Sequence, residues 1–248
     1  MTTSEPQRPN KRQQLDERQQ LDENQQLDEN QQLDENQQSD ETQPTSAPAA
    51  TLVLASASPR RQELIAKLGL PVIIRPSDAD ENTPPDWSPA TIVEELSLRK
   101  ARAVAEATDR SELAGGAPLA IVVGSDTIVA LAGEAMGKPK DESDAEAMLS
   151  RLQGRSHEVY TGVTLLDPGT GRAVTRHQVT KVRMKTLSPE QIRRYVATGE
   201  PMDKAGAYGI QGGGALLVES IEGDFYGVMG LPVSLVAGML ESFDIVLP

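Results

Sequence analysis

Segment 52–69 constrains the fold of this chain most, because it joins a strand directly to a helix. Its first residues are apolar and predict a buried strand over 51–56. Ser58 and Pro59 are typical of the N-cap and first position of a helix, and apolar residues follow at helical spacing. A helix is therefore predicted over 59–68, and the glycine that closes the segment is typical of a helix end.

Two serines and two arginines lie at this junction, namely Ser56, Ser58, Arg60 and Arg61. One interpretation is a capped helix whose arginines are merely solvated. However, cations are unfavourable at the positive end of a helix dipole, so a bound anion would account for them better. The junction therefore predicts a phosphate site, with Ser56, Ser58 and Arg61 as candidate ligands.

The composition limits the classes of protein to which the chain can belong. It has 248 residues, enough for one large domain or two small ones, and no cysteine. Disulfides, thiol nucleophiles and cysteine-ligated metals are therefore excluded. No apolar run reaches the roughly 18 to 20 residues of a membrane span, and the N-terminus lacks the apolar core of a signal peptide. We expect a cytoplasmic protein without a membrane partner.

The charge is unevenly distributed along the chain. The formal net charge is −13, of which residues 1–50 contribute −7 from 11 acidic and 4 basic side chains. The remainder is only mildly acidic. Nucleic-acid binding needs a basic face, so we expect no nucleic-acid partner. A local basic pocket for a small anion is compatible with this distribution.

Residues 1–50 are predicted to form a disordered acidic tail and linker. Five near-copies of the hexapeptide Gln-Gln-Leu-Asp-Glu-Asn begin at Gln13. Leucines six residues apart spiral around a helix and form no seam, which disfavours a coiled coil. Low hydrophobicity favours disorder, with a transient helix or a tail for an unknown partner as alternatives. The folded domain is predicted to span 51–248.

Strand-like and helix-like patterns alternate beyond residue 50, which predicts an α/β fold. The strand candidates are 51–56, 72–76, 119–124, 159–166, 173–185, 215–220 and 225–229. The helix candidates are 59–68, 89–107, 143–152, 189–198 and 232–242.

Capping patterns in the sequence also predict where several helices start. Ser88-Pro89 repeats the serine-cap, proline-first pattern. Ser143-x-x-Glu146 and Ser188-x-x-Gln191 have the spacing of a capping box. Long strands on either side of 167–171 predict a hairpin, so we expect a mixed sheet with a cleft.

Two acidic positions are candidates for chemistry. Asp126 follows a buried strand, where catalytic groups of α/β sheets are commonly found, although a turn aspartate is an equally good interpretation. Glu81 lies in an acidic loop with Asp80. A carboxylate cluster of this kind suits Mg²⁺, although a solvated acidic loop is the commoner case.

Basic residues recur in segments that differ in character. Lys100 lies on an amphipathic predicted helix, and Lys138 lies in a proline-containing loop. Either could simply be solvated. Lys204 and Gln211 lie in segment 203–214, whose glycines permit close approach of the backbone to a ligand. The amide of Gln211 can both donate and accept at a base edge.

Other catalytic classes are poorly supported by the sequence. His157 and His177 lack metal-ligand spacing, and His157 is expected to order the entry to a strand rather than to act as a base. There is no Gly-x-Ser-x-Gly elbow, P-loop or dinucleotide fingerprint. A phosphate site in this chain is therefore expected to be of another kind.

Six motifs, in one order across residues 51–248, closely resemble those of the Maf family. They are Ser56-Ala-Ser-Pro-Arg-Arg61, Gly124-Ser-Asp-Thr127, Gly137-Lys-Pro139, His157-Glu-Val-Tyr-Thr-Gly162, Asp203-Lys-Ala-Gly-Ala-Tyr-Gly-Ile-Gln-Gly212 and Gly230-Leu-Pro232. This family consists of nucleoside triphosphate pyrophosphatases and was first associated with inhibition of septum formation. The resemblance implies a two-lobed, inosine-triphosphatase-like α/β structure, in which a twisted mixed sheet is flanked by helices and the active cleft lies between the lobes.

The resemblance also implies hydrolysis of a nucleoside triphosphate to the monophosphate and pyrophosphate with a divalent metal, Mg²⁺ or Mn²⁺. Asp126 matches the family's proton acceptor, and with Glu81 it is expected to hold the metal. The polar pocket of the family is matched by Ser56, Arg61, Glu81, Lys100, Lys138 and Lys204. A homodimer is a further expectation.

Three positions match those that distinguish branches of the family: Arg60, Thr127 and Gln211. This trio resembles the branch that acts on dTTP and UTP, and modified pyrimidine triphosphates could fit the same contacts. The alternative hypothesis is a nucleotide-binding regulator of cell division without significant turnover.

Overall fold

The computed structural model describes residues 50–109 and 119–247. The hexapeptide repeats and nearly all of the predicted linker lie outside the described residues. The family-like part of the chain forms one compact unit. Within the described ranges, no helix combines the length and the apolar character that crossing a membrane requires.

Helices and strands alternate along the chain, as the sequence predicts. The strands are β1 (Thr51–Leu54), β2 (Val72–Ile74), β3 (Ala120–Leu131), β4 (Glu134–Met136), β5 (Ser156–Leu166), β6 (Ala173–Met184) and β7 (Val218–Glu222). The helices are α1 (Pro59–Ala66), α2 (Pro89–Ala107), α3 (Glu142–Leu152), α4 (Pro189–Val196), α5 (Phe225–Met229) and α6 (Val233–Leu240). Short 3₁₀ turns connect several of them.

The strands form one mixed sheet in the order β2-β1-β3-β5-β6-β7, with β4 paired to β3. The pairs β1–β2 and β1–β3 are parallel. The β3–β5, β5–β6 and β6–β7 pairs are antiparallel, and β5 and β6 form the hairpin predicted around 167–171. The predicted mixed α/β fold is therefore confirmed.

Two large apolar clusters occupy opposite ends of the long central strands. The first packs α1 and α6 against β1 and includes Val123 of β3 and Val163 of β5. The second packs α3 and α4 together and includes Val129 of β3 and Val159 of β5. Each cluster is the core of one lobe. Since β3 and β5 pass from one cluster to the other, both lobes are built on the same sheet.

Two glycines let α2 lie directly on the central strands. A Cβ atom at Gly124 of β3 would collide with the carbonyl oxygen of Ser97, and one at Gly162 of β5 would collide with that of Val93. These two carbonyls belong to successive turns of α2. The close approach brings the next turn of the helix, which carries Lys100, down to Asp126 on β3.

This packing predicts that Gly124→Ala destabilises the fold. The added methyl group meets backbone atoms that cannot rotate away, so the free energy of unfolding should fall by about 1–3 kcal/mol. Gly238→Ala in α6 is the matched control, because nothing lies within 4 Å of its added Cβ. Urea unfolding of both variants checks this, and a Gly124→Ala protein as stable as wild type would contradict the packing argument.

Two predicted strands are wrong or displaced. The segment 225–229 forms helix α5, because the Asp224 side chain accepts a hydrogen bond from the Gly227 N–H and caps a helical turn. Its aromatic residues had favoured a strand. The predicted strand 215–220 begins later, at Val218, after a 3₁₀ turn over Gly212–Leu216.

Helix starts are mostly confirmed, with one correction. The Ser88 side chain caps α2, and Ser188 and Gln191 form a complete capping box on α4. The predicted box at Ser143 is wrong: the cap lies two residues earlier, where the Asp141 side chain accepts from the Asp144 N–H. Aspartate is at least as good a cap as serine, so Asp141 can take that role.

Candidate active site

A cavity of about 760 Å³ opens between the two lobes. It is lined by the β1–α1 junction, the middle of β3, the loop after β4 and the glycine-rich segment 203–211. The structure brings every predicted site residue to this cavity: Ser56, Ser58, Arg60, Arg61, Glu81, Lys100, Asp126, Thr127, Lys138, Lys204 and Gln211. Residues more than 150 positions apart in sequence thus line one cavity.

The motif around Asp126 lies inside a strand, not at its end. The predicted strand 119–124 continues to Leu131, so Gly124-Ser-Asp-Thr127 is the centre of β3. The backbone of these residues pairs with β5 throughout. Asp126 is therefore held by strand pairing with Gly162 of β5 rather than by a turn, which excludes the turn-aspartate interpretation.

Lys100 forms ion pairs with two carboxylates that line the cavity. Its ammonium lies 2.6 Å from Asp126 Oδ1 and 2.6 Å from Glu81 Oε1. The side chains of Lys100 and Asp126 are each 11% exposed, whereas Glu81 is more open. Burial raises the pKa of Glu81, but the hydrogen bond and charge of Lys100, helped by Lys138 and Arg61, outweigh it and hold that pKa below its usual range. Both carboxylates thus face cations.

Arg61 is tied to three separate elements. Its Nε donates to the Gly230 carbonyl at 2.9 Å, and one terminal nitrogen donates to Thr127 Oγ1 at 3.1 Å. The other terminal nitrogen reaches Ser56 Oγ at 3.4 Å. Burial lowers the pKa of Arg61, and the charge of Asp126 acts in the opposite direction. Arginine keeps its charge at neutral pH in such settings, so the site holds a fixed cation.

The two serines of the junction have different surroundings. Ser56 is buried and its hydroxyl accepts from the Ser58 N–H at 3.2 Å. Ser58 takes the predicted N-cap position of α1, but its side chain makes no capping hydrogen bond. Ser58 is nevertheless one of the residues that line the cavity. Gly69 adopts the predicted positive φ, two residues after the C-cap Lys67.

Arg60 and Lys204, which both line the cavity, share the Asp203 carboxylate as a partner. Arg60 lies 3.4 Å from the Asp203 carboxylate, and Lys204 lies 2.6 Å from the other oxygen of that carboxylate. Arg60 and Asp203 belong to different lobes, because α1 packs in the first apolar cluster and the neighbours of Asp203, Met202 and Ala205, pack against the second. The Gly206 N–H also donates to the Gly137 carbonyl at 3.0 Å, which holds this segment beside the loop of Lys138.

Thr127 belongs to a hydroxyl chain that the sequence did not reveal. Its Oγ1 lies 2.9 Å from Thr161 Oγ1, and Thr161 donates to the Gly227 carbonyl at 2.8 Å. Together with Arg61, these contacts occupy the Thr127 hydroxyl. The two threonines are 34 residues apart in sequence, and the register of β3 against β5, which pairs Thr127 with Thr161, brings their hydroxyls together. A correct prediction of this register would have revealed the contact.

His157 has a structural position, in line with its sequence interpretation. It is the second residue of β5, it is buried, and its Nε2 lies 2.7 Å from the Tyr208 hydroxyl. Its Nδ1 has no hydrogen-bond partner among the described residues. Tyr208 lines the cavity and His157 does not, so His157 acts by holding the Tyr208 side chain in place.

The buried imidazole predicts an acid-sensitive fold. Burial lowers the pKa of His157 from 6.5 to about 4. Between these values the unfolded chain binds a proton that the folded chain does not, so the free energy of unfolding falls as the pH drops through this window. The slope is at most about 1.4 kcal/mol per pH unit.

Replacing this group should remove part of that sensitivity. His157→Gln is expected to lose less stability than wild type between pH 6.5 and pH 4.5, although it is less stable at pH 7. Urea unfolding at several pH values gives the comparison. Equal losses in the two proteins would show that the imidazole is not responsible.

The acidic groups present fit a divalent cation bound together with a phosphate ligand. Among the described residues, no cluster of three or more histidine, cysteine or acidic side chains could hold a metal alone. Mg²⁺, however, is commonly held by one or two carboxylates, several waters and substrate phosphates. Glu81 and Asp126, which converge on one ammonium, match that smaller protein contribution.

The fold and the cavity define a two-lobed α/β protein with a cation-rich site for an anionic ligand. The chain belongs to the Maf family: the family model described as "Maf-like protein" matches residues 51–243.

Curated relatives are similar in sequence to this chain over most of its length. A protein of Desulforamulus reducens named "dTTP/UTP pyrophosphatase" is 47% identical over 194 residues, which cover 78% of this chain and 97% of the relative. Proteins of the same name from Symbiobacterium thermophilum and Moorella thermoacetica are 51% and 50% identical, over 77% and 78% of this chain and 93% and 95% of the relatives.

Proposed function

We propose that this chain hydrolyses dTTP and UTP to the monophosphate and pyrophosphate. The observation that carries this proposal is the buried Asp126 in a cavity with Arg61 and Lys100, since such a site pairs a proton acceptor with fixed cations. The names of the relatives support the choice of pyrimidine triphosphates. Modified pyrimidine triphosphates have the same phosphate chain and are further candidate substrates.

Asp126 is assigned to the attacking water. It accepts a proton as the water oxygen forms a bond to the α-phosphorus. The bond between that phosphorus and the oxygen bridging to the β-phosphate breaks, and pyrophosphate leaves with the electron pair. The cations Arg61, Lys138 and Lys204 neutralise the charge that grows on this leaving group.

Glu81 and Asp126 are the residues that would hold Mg²⁺ or Mn²⁺ beside the phosphates. The metal would neutralise charge on the phosphate oxygens. Lys100 holds both carboxylates in place through its two short contacts and shares its charge between them. Direct coordination of a divalent metal makes a carboxylate a weaker base, so we assign the metal mainly to Glu81 and the water to Asp126.

Base selection is assigned to Gln211 and Arg60, with Thr127 acting indirectly. The Gln211 amide can both donate to and accept from a uracil or thymine edge. The Thr127 hydroxyl is already bonded to Arg61 and Thr161, so its identity affects the ligand through Arg61. This differs from a direct contact of Thr127 with the base.

The proposal is tested by pyrophosphate release from purified full-length protein. We expect release from UTP and dTTP in Mg²⁺ or Mn²⁺, and its loss when EDTA removes the metal. Tight nucleotide binding without release would instead favour the nucleotide-binding regulator of cell division. The cytoplasmic location, the homodimer and the absence of a nucleic-acid partner stay predictions.

A further inference from the structure

We propose that Tyr195 and Glu200, which do not line the cavity, are positioning residues that set how Gln211 meets the nucleobase. This inference rests on the proposed function, because it concerns selection at the same site. Tyr195 belongs to the end of α4, and Glu200 begins the 3₁₀ turn that precedes the glycine-rich segment. Neither residue was singled out by the sequence motifs.

Glu200 uses both carboxylate oxygens to hold the backbone after Gln211. Its Oε2 accepts from the Gly213 N–H at 2.9 Å, and its Oε1 accepts from the Gly214 N–H at 3.1 Å. Hydrogen bonds from N–H groups to a carboxylate are stronger than those between neutral groups. The chain on the C-terminal side of Gln211 is therefore anchored at two successive residues.

Tyr195 completes the anchor on the other side of Gln211. Its hydroxyl donates to Glu200 Oε1 at 2.9 Å and accepts from the Gly209 N–H at 3.1 Å. The phenol is buried, with 6% of the residue exposed. One connected group of hydrogen bonds thus holds residues 209, 213 and 214, and the side chain between them is the one assigned to the base.

The same carboxylate residue also reaches Lys204. The Lys204 ammonium donates to the main-chain carbonyl of Glu200, in addition to its contact with Asp203. Burial raises the pKa of Glu200, but the Tyr195 hydroxyl, the glycine N–H groups and Lys204 outweigh it and lower that pKa overall. Glu200 is accordingly ionised at neutral pH, which its role as acceptor of three hydrogen bonds requires.

A positioning role predicts a loss of selectivity, not only of stability. UTP presents a carbonyl oxygen where CTP presents an amino group, so the two are distinguished by the direction in which an amide donates. A segment that loses its anchors lets the Gln211 amide turn or withdraw. A purely structural role would lower the melting temperature and leave the preference for UTP over CTP unchanged.

The test uses Glu200→Gln and Tyr195→Phe in the full chain. Glu190→Gln is the matched control, because Glu190 lies on α4 and pairs only with the exposed Arg193 and Arg194 among the described contacts. Three readouts are compared: amide hydrogen exchange at Gly209, Gly213 and Gly214 by NMR, kcat and KM for UTP and CTP, and the melting temperature.

In both variants we expect faster exchange at these glycines, a higher KM for UTP with a smaller change in kcat, and a UTP-to-CTP preference reduced about tenfold. The control should match wild type. Unchanged exchange, or faster exchange with the preference intact, would overturn the inference. If wild type releases no pyrophosphate, the proposed function fails, and the affinities for UTP and CTP measured by calorimetry decide the inference instead.

Discussion

Asp126→Asn should lower pyrophosphate release from UTP by about a hundredfold to ten-thousandfold, the usual cost of losing a general base. The substitution keeps the size and shape of the side chain, and the β3 backbone still pairs with β5 on one side. The amide, however, cannot accept the proton of the attacking water. It also removes the negative charge opposite Lys100, 2.6 Å away. The measurement is kcat for UTP hydrolysis with saturating Mg²⁺.

An exposed carboxylate that does not line the cavity provides the control for this substitution. Asp86 lies in the loop before α2 and is exposed, so Asp86→Asn should keep wild-type turnover. Circular dichroism and the melting temperature should show that the Asp126 variant is folded. A folded Asp126→Asn protein with near-normal kcat would remove Asp126 from the role of base.

Arg61→Ala and Arg60→Trp should have opposite effects. Loss of Arg61 removes a cation assigned to the phosphates and breaks its hydrogen bonds to Gly230, Ser56 and Thr127. We therefore expect kcat/KM for UTP to fall about a hundredfold to a thousandfold. The Arg60 side chain is 30% exposed and its ion pair with Asp203 is long, at 3.4 Å. Its loss should cost less than about tenfold in kcat/KM for UTP.

The distinction lies in the preference among bases. Arg60→Trp should change the ratio of kcat/KM between UTP and purine triphosphates, whereas Arg61→Ala should lower every substrate by a similar factor. Steady-state kinetics with UTP, dTTP, GTP and CTP compare the two. If Arg61→Ala altered the preference and Arg60→Trp did not, the assignment of the two arginines would be reversed.

Local chemistry made much of this fold predictable. The serine-proline pattern correctly predicted the start of α2 at Pro89, because the capping serine and the fixed φ of proline are both local. The hairpin between β5 and β6 followed from its turn residues. By contrast, α5 was predicted as a strand, since its aromatic residues favour strands and only the Asp224 cap, after Gly223, favours a helix.

The residues of the candidate site could be proposed from the sequence, but the contacts between them could not. Motifs identified Asp126, Lys100 and Arg61 separately, yet the sequence did not indicate that Asp126 lies within a strand. That position depends on the pairing of β3 with β5, and the approach of Lys100 to Asp126 depends on the close contact of α2 with glycines on both strands. The hydrogen bonds of Glu200 to residues beyond Gln211 likewise depend on the path of a loop, which no local pattern specifies.

The most direct test of the central claim is the position of oxygen-18 after hydrolysis of UTP in labelled water. Attack by water at the α-phosphorus predicts one labelled oxygen in the UMP phosphate and none in the pyrophosphate. Mass spectrometry of both products reads this out. Label in the pyrophosphate, or release of UDP with labelled orthophosphate, would contradict the assignment of this cavity to a nucleoside triphosphate pyrophosphatase.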